Sequence, residues 1–210
     1  MLRVLIVEDH EIMRRGLKEV FADAFPELHV GEAENSRSAL AWLMTQEWDI
    51  VLLDINIPGR SGLEVLEDVK RLRPGTPVLV LSQYPEDEFA IRSFKLGAAG
   101  YLNKSRASDE LLAAVRKVLA GGKYVTASLA EKLVATLGND LQHEPHENLS
   151  NRELQVLQML ATGNTIKEIA AELAVSEKTV STYRSRIVQK LRLTTDAELT
   201  RYALQHRLVD

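Results

Sequence analysis

Five short apolar runs recur through the first 120 or so residues, with amphipathic helical patterns between and after them, and few architectures accept that alternation. The runs are RVLIV (3–7), HVGEA (29–33), IVLLD (50–54), PVLVL (77–81) and AGYL (99–102). Helical spacing marks 11–24 (Ile12, Leu17, Val20, Phe21), 36–46 (Leu40, Leu43), 62–72 (Leu63, Leu66, Val69), 86–96 (Phe89, Phe94) and 108–120 (Leu111, Leu112, Val115, Leu119). A strand of nearly continuous Val, Ile and Leu needs apolar cover on both faces. Strands alternating with helices therefore predict βαβ crossovers and a doubly wound α/β domain around a five-stranded parallel sheet. Such a sheet binds its ligands outside the carboxyl ends of the strands.

Beyond Gly121-Gly122 a further helical pattern runs from Thr126 to Leu137, with Leu129, Leu133 and Leu137 on one face and Gly138 as its stop. The polar stretch NDLQHEPHEN (139–148) contains Pro145 and reads as a flexible linker. From Leu149 onward no strand pattern occurs. Ser150 and Glu153 make a capping box for a helix through Leu160, Thr165 starts a second through Leu173, Ser176 caps a third through Leu191, and 196–206 form a fourth. The predicted organisation is an α/β domain over 1–122, a linker with one helix over 123–148 and a small all-α domain over 149–210.

Charge separates these parts. The net charge is −4 over 1–122, −2 over 123–148 and +2 over 149–210, so the C-terminal part is the one suited to a polyanion. The absence of cysteine excludes disulfides, thiolate catalysis and Cys-based zinc sites. The opening MLRVLIVEDHE has an apolar run of only four residues before Glu8 and Asp9, too short for a secretory signal or a membrane span. A soluble cytoplasmic protein is expected, without a membrane partner.

The strand ends carry the chemistry. Glu8 and Asp9 follow the first strand, Asp54 ends the third, Ser82 follows the fourth and Lys104 lies just past the fifth. Parallel topology gathers them at one mouth. Three crowded carboxylates repel one another unless a hard divalent cation such as Mg2+ joins them. An Asp carboxylate can act as the nucleophile that becomes an aspartyl phosphate. A cation and a Lys ammonium would neutralise the transferring group, and a Ser hydroxyl would bond to it. Of His10, His29, His143, His146 and His206, only His143 and His146 have a mutual spacing that suits a metal, and as linker residues they are expected to be solvated.

VLIVEDH, VLLDINIPGRSG, LVLSQY and GAAGYLNKS together resemble a bacterial response-regulator receiver domain, a flavodoxin-like fold, over 1–122. The resemblance implies a sensor histidine kinase that donates a phosphoryl group to Asp54, with Mg2+ held by Glu8, Asp9, Asp54 and the backbone carbonyl of Asn56. It assigns Ser82 and Tyr101 as switch residues, the hydroxyl moving toward the phosphoryl group and the ring following inward, and Lys104 as the salt-bridging lysine. It implies a phosphoryl acceptor with at most slow self-dephosphorylation, not an enzyme. A haloacid-dehalogenase-type phosphatase would need a second Asp two residues after the nucleophile, where this chain has Asn56. A receiver that serves only as an interaction surface, with phosphate unused, is the remaining alternative.

VSEKTVSTYRSRIVQKLRL (175–193) places Val180, Tyr183, Ile187 and Leu191 on one helical face and Lys178, Ser181, Thr182 and Ser185 on another. From 178 to 192 it holds five basic residues and no acid. Preceded by TIKEIAAELAV, it predicts a helix-turn-helix whose second helix enters a DNA major groove. The segment from Leu149 through Leu191 is similar to the LuxR-type DNA-binding domain, so the whole chain resembles NarL/FixJ-type response regulators, and TVSTYRSRI resembles their GacA/UvrY-like branch. By that resemblance Lys178, Thr179, Arg184 and Lys190 meet phosphates of double-stranded DNA, while Ser181, Thr182 and Ser185 face bases. Many relatives carry Lys where this chain has Ser181 and Ser185, and serine hydroxyls discriminate bases poorly. A small domain charge implies that DNA is bound as a homodimer, joined through the last helix around Glu198 to Leu204.

Overall fold

The computed structural model describes residues 1–83, 88–138 and 144–209. The chain divides into two compact units, Met1–Ala130 and Glu131–Asp210. The first runs β1 (Leu2–Val7), α1 (Glu11–Ala24), β2 (Leu28–Ala33), α2 (Ser36–Thr45), β3 (Ile50–Asp54), α3 (Gly62–Leu72), β4 (Val78–Ser82), α4 (Glu88–Lys95), β5 (Gly100–Asn103), a 3-10 turn (Lys104–Arg106) and α5 (Ala107–Leu119). α6 (Ala127–Gly138) contains the division between the units, inside the stretch read as linker.

All five strands are parallel, in the order β2-β1-β3-β4-β5. Every residue of β3 and β4 is buried, as the unbroken apolar runs require of strands covered on both faces. Val4, Ile6, Ile50, Leu52, Leu79 and Leu81 meet Leu17 and Phe21 of α1 and Leu111, Ala114, Val115 and Val118 of α5 in one core. The strand order reverses direction between β1 and β3, and a doubly wound sheet opens its binding crevice at that point. Asp54 ends β3 there, one residue after Leu53 pairs with Val7 of β1.

One expected core residue is displaced. Ile12 is 89 % exposed. It stands about 140° around the helix from Leu17 at ordinary helical spacing, so it leaves the stripe that Leu17 and Phe21 bury. Met13 and Val20 are the partly buried neighbours of that stripe.

The second unit continues with a 3-10 turn (Pro145–Asn148), α7 (Asn151–Ala161), α8 (Ile166–Glu172), α9 (Glu177–Leu191) and α10 (Asp196–Gln205). Ser150, Thr165, Ser176 and Thr195 cap the four last helices, each accepting a backbone N–H in the first turn. α7 packs against α9 and α10, and α8 against α9. Leu154, Leu157, Ile169, Val180, Ile187, Leu199 and Ala203 make the core.

The predicted flexible linker is corrected in part, because 145–148 form the 3-10 turn and His146 is buried. Positions 139–143 with His143, positions 86 and 87 of the predicted fourth helix, and the side chains of Leu133 and Leu137 lie outside the described residues. Among the described residues no helix is long and apolar enough to cross a membrane.

Candidate functional site

Asp54 is 2 % exposed at the end of β3, and both its carboxylate oxygens are engaged. Oδ1 accepts the Asn56 backbone N–H at 3.1 Å, and Oδ2 accepts from Lys104 Nζ at 2.8 Å. The same ammonium stands 2.7 Å from Glu8 Oε2, so one cation joins the ends of β1, β3 and β5. One ligand atom from each of Glu8, Asp9, His10 and Asp54 lies within 4.8 Å of the others. The acids predicted from separate strand ends are thus gathered into one cluster.

Burial drives the Asp54 carboxyl up to about 6, and the Glu8 carboxylate pushes the same way against Lys104 and the Asn56 N–H. Burial works to discharge Lys104, but the Asp54 and Glu8 carboxylates outweigh it and hold the ammonium above its ordinary value. Burial likewise works to lower His10, and its contacts with Glu8 and Asp9, at 3.0 and 2.9 Å, raise it overall. The mouth thus sets the carboxylates of Glu8, Asp9 and Asp54 against the Lys104 ammonium and the His10 imidazole.

The start of helix α3 is pressed against the backbone that carries this carboxylate. A Cβ at Gly62 would stand 2.0 Å from the Asp54 carbonyl oxygen and 2.7 Å from the Ile55 Cα, closer than any side chain allows. The Gly62 N–H donates to the Ile55 carbonyl at 2.9 Å, and Ser61 caps the helix from the same turn. Ser82 is fully buried at the end of β4, one residue beyond the Leu81 that pairs with Asp54. Tyr101 on β5 is also fully buried, so its ring is already inside the unit.

Arg14 was missed by sequence reasoning. Its Nη1 donates to the Glu8 carbonyl at 2.7 Å, while Nε and Nη2 meet Glu32 and Glu34 at 3.2 and 3.1 Å. The guanidinium fastens the Glu8-Asp9 backbone to the end of β2. A signal existed, since Arg14 precedes Leu17 and Phe21 at i, i+3, i+7 and is buried with them.

In the second unit α9 turns Val180, Ile187 and Leu191 inward and leaves Lys178, Ser181, Thr182 and Ser185 exposed, as predicted from helical spacing. The three hydroxyls donate to the carbonyls of Glu177, Lys178 and Ser181, each four residues back at 2.9 Å. Thr179 is half-buried beside the cap, its Oγ1 2.8 Å from Ser176 Oγ. Arg184 Nε is 2.7 Å from Asp196 Oδ1, and Lys190 Nζ is 2.7 Å from Glu153 Oε2 and 3.1 Å from the Asn148 carbonyl.

Comparison with known proteins meets both units. The family described as response regulator receiver domain matches residues 4–116. The family described as bacterial regulatory proteins, luxR family, matches residues 147–203. Response regulator GacA of Pseudomonas aeruginosa is 36% identical over 211 residues, covering 100% of this chain and 99% of that protein.

The chain belongs to the response regulators.

Response regulator UvrY of Escherichia coli K12 is 34% identical over 209 residues, covering 99% of this chain and 96% of its own. Among solved structures, RcsB from Salmonella enterica serovar Typhimurium, bound to promoter rprA in the presence of the phosphomimetic BeF3-, is 26% identical. The two match with a TM-score of 0.64 over 96% of this chain and 97% of that one.

In this response regulator Lys190 is paired with a carboxylate that the domain buries. Glu153 is 2 % exposed, caps α7 through the Ser150 N–H and takes Lys190 as its counter-ion. Burial works to raise its carboxyl, but Lys190 and the Ser150 N–H outweigh this and hold it below the ordinary range. Lys190→Met is expected to destabilise the C-terminal unit by about 1–3 kcal/mol at neutral pH, because it leaves a buried carboxylate without its partner. A depressed folded-state value means this stabilisation is present above the unfolded value and lost as pH falls through the folded one. Thermal melts of wild type and variant should therefore converge as pH falls below the ordinary carboxylate range.

Proposed function

We propose that this chain is a phosphorylation-switched transcription factor that accepts a phosphoryl group on Asp54 from a sensor histidine kinase. The observation that carries the reading is the Asp54 carboxylate, buried at the reversal point of the sheet with Lys104 on one oxygen and Glu8 and Asp9 beside it. The donor set also fits a hard cation. Glu8 Oε2 and Asp9 Oδ1 are buried and lack a well-directed hydrogen bond, their nearest partners being the ion contacts to Lys104 and His10. Glu8, Asp9, Asp54 and the Asn56 carbonyl would hold Mg2+. When bound, Mg2+ supplies neutralisation of the phosphoryl oxygens.

In the transfer an Asp54 oxygen forms the bond to phosphorus as the bond to the donor atom breaks, and the electron pair leaves with the donor. Lys104 then pairs with a phosphoryl oxygen in place of the free carboxylate, and the Ser82 hydroxyl donates to another. Tyr101, already inside, fills the space beside the switch hydroxyl. These rearrangements bias two conformations of the chain, of which one binds DNA more tightly. Asp54 acts as an acceptor, so the chain is not an enzyme that turns over a substrate.

The α8-turn-α9 element supports DNA as the second partner, with α9 in the major groove of double-stranded DNA and a homodimer placing two such helices on successive half-sites. Lys178, Thr179, Arg184 and Lys190 are assigned to phosphates and Ser181, Thr182 and Ser185 to base edges. The RcsB structure, determined on a promoter with a phosphomimetic, supports the same pairing of inputs. A regulator of bacterial promoters works in the cytoplasm.

Selection of bound fragments from fragmented genomic DNA, with and without a small phosphoryl donor and Mg2+, tests this reading. Donor-dependent enrichment of a discrete fragment set is expected, and equal recovery in both arms would refute it. Lys178→Ala should weaken all retained fragments alike and reduce the salt slope of binding by about 1, because a phosphate contact carries no base information.

A further inference from the structure

Glu144, His146 and His206 come together in the C-terminal unit from opposite ends of its sequence. Their ligand atoms lie within 4.8 Å of one another. Sequence spacing gave no sign of this, since it paired His146 with His143 and left His206 alone. We propose that these three residues form a divalent transition-metal site of the zinc type, which fastens the 3-10 turn before α7 to the end of α10.

The geometry is that of a site nearly assembled. His206 Nδ1 stands 3.3 Å from Glu144 Oε2. Ligands at about 2.0–2.1 Å from a tetrahedral zinc stand about 3.3 Å from each other, so this pair already spans one edge of the tetrahedron. His146 is 6 % exposed, and its Nδ1 lies 3.0 Å from the Tyr202 hydroxyl. A metal-ligating histidine uses its second nitrogen in that way, the outer partner fixing ring orientation and tautomer. In the tautomer whose Nδ1–H donates to the Tyr202 hydroxyl, Nε2 would be the atom to meet the ion. Tyr202 also packs against the His206 ring, 4.2 Å between centroids, and the two imidazoles lie 5.4 Å apart, so one aromatic side chain braces both ligands.

The donor chemistry selects the metal class. Two imidazoles and one carboxylate suit zinc and its neighbours, whereas the oxygen-rich mouth at Asp54 suits Mg2+. Glu144 and His206 are both partly exposed, which gives an ion an entry path and leaves a fourth position for water. An ion bound there would stabilise the folded unit by binding it and not the unfolded chain. The proposal does not depend on phosphorylation at Asp54.

The test is a titration of the full-length chain with Zn2+ alone as the probe, in buffer holding excess Mg2+ to fill the receiver mouth. Wild type and Asp54→Asn should each bind one equivalent. His206→Gln and Glu144→Gln should each weaken it at least about tenfold while keeping the wild-type circular dichroism spectrum. Glu144 lies on the partly exposed rim, so its variant preserves the fold even if His206→Gln does not. Co2+ in place of Zn2+ should give an intense tetrahedral d–d absorption that Glu144→Gln diminishes. The proposal fails if wild type retains no zinc, if Glu144→Gln binds as tightly as wild type, or if the bound equivalent vanishes in Asp54→Asn instead.

Discussion

Asp54→Asn is expected to gain no mass from a small phosphoryl donor and Mg2+, under conditions in which the wild-type chain gains a single phosphoryl group. The amide keeps the shape of the side chain and its place at the end of β3, so the loss would report chemistry and not folding. The amide oxygen is a poor nucleophile, and its neutrality removes one charge from any cation site formed with Glu8 and Asp9. A second readout separates these causes from a collapsed receiver. The folded-state value of the Asp54 carboxyl lies above its unfolded value, so the folded chain binds the extra proton between the two, and stability rises as pH falls through about 6. Above that range the ionised group opposes folding. Without divalent cations at pH 7 to 8, the Asp54→Asn variant should therefore melt no lower than wild type. A wild-type chain that stays unmodified by the small donor and by a kinase would sink the acceptor assignment. So would an Asp54→Asn chain that is modified as fully as wild type.

Gly62→Val is expected to be the most damaging single substitution in the receiver outside its strands. The space its Cβ would need is occupied by the Asp54 carbonyl and the Ile55 backbone, neither of which can rotate away as a side chain could. Relief requires α3 to move off the end of β3. That movement would break the Gly62 to Ile55 hydrogen bond and unseat Leu63, Leu66 and Val69, all fully buried. Overpacking of this kind costs about 1–3 kcal/mol and more when backbone must shift, so a loss of about 3 kcal/mol or greater is expected in denaturant unfolding. Phosphoryl uptake should slow in the surviving folded fraction, because Asp54 is held by the same turn. An unfolding midpoint equal to wild type would mean that α3 is free to slide, and that the backbone behind Asp54 is not what places it.

Much of this is legible in the sequence alone. The spans 11–24, 50–54, 62–72 and 177–191 follow from apolar periodicity and from Ser176 as a cap, because local pattern and tertiary burial agree there. Asp54 could be placed at a binding mouth because a parallel sheet puts every strand's carboxyl end on one side. What escaped was whatever depended on partners distant in sequence. Arg14 looks like a surface charge until β2 brings Glu32 and Glu34 to it. Lys190 shows no partner in the sequence until α7 brings Glu153, and His146 looks solvated until α10 brings Tyr202. Ile12 was misplaced for a different reason, since an apolar residue near a helix start can sit off the stripe at little local cost.

The hydroxyls of Ser181, Thr182 and Ser185 bear on how strictly a promoter could be read. Each points its proton back along α9 to a carbonyl, so the atoms turned outward are oxygen lone pairs. Against a base edge such a group accepts from the amino group of adenine or cytosine; by rotating its proton away from the helix it serves equally well as a donor to guanine or thymine. Set against a groove as proposed, a surface made of such ambivalent groups would tolerate drift in the sites it occupied. Across many bound sites the consensus should therefore be shallow opposite these three residues, leaving half-site spacing and the stiffness of the duplex to carry more of the discrimination.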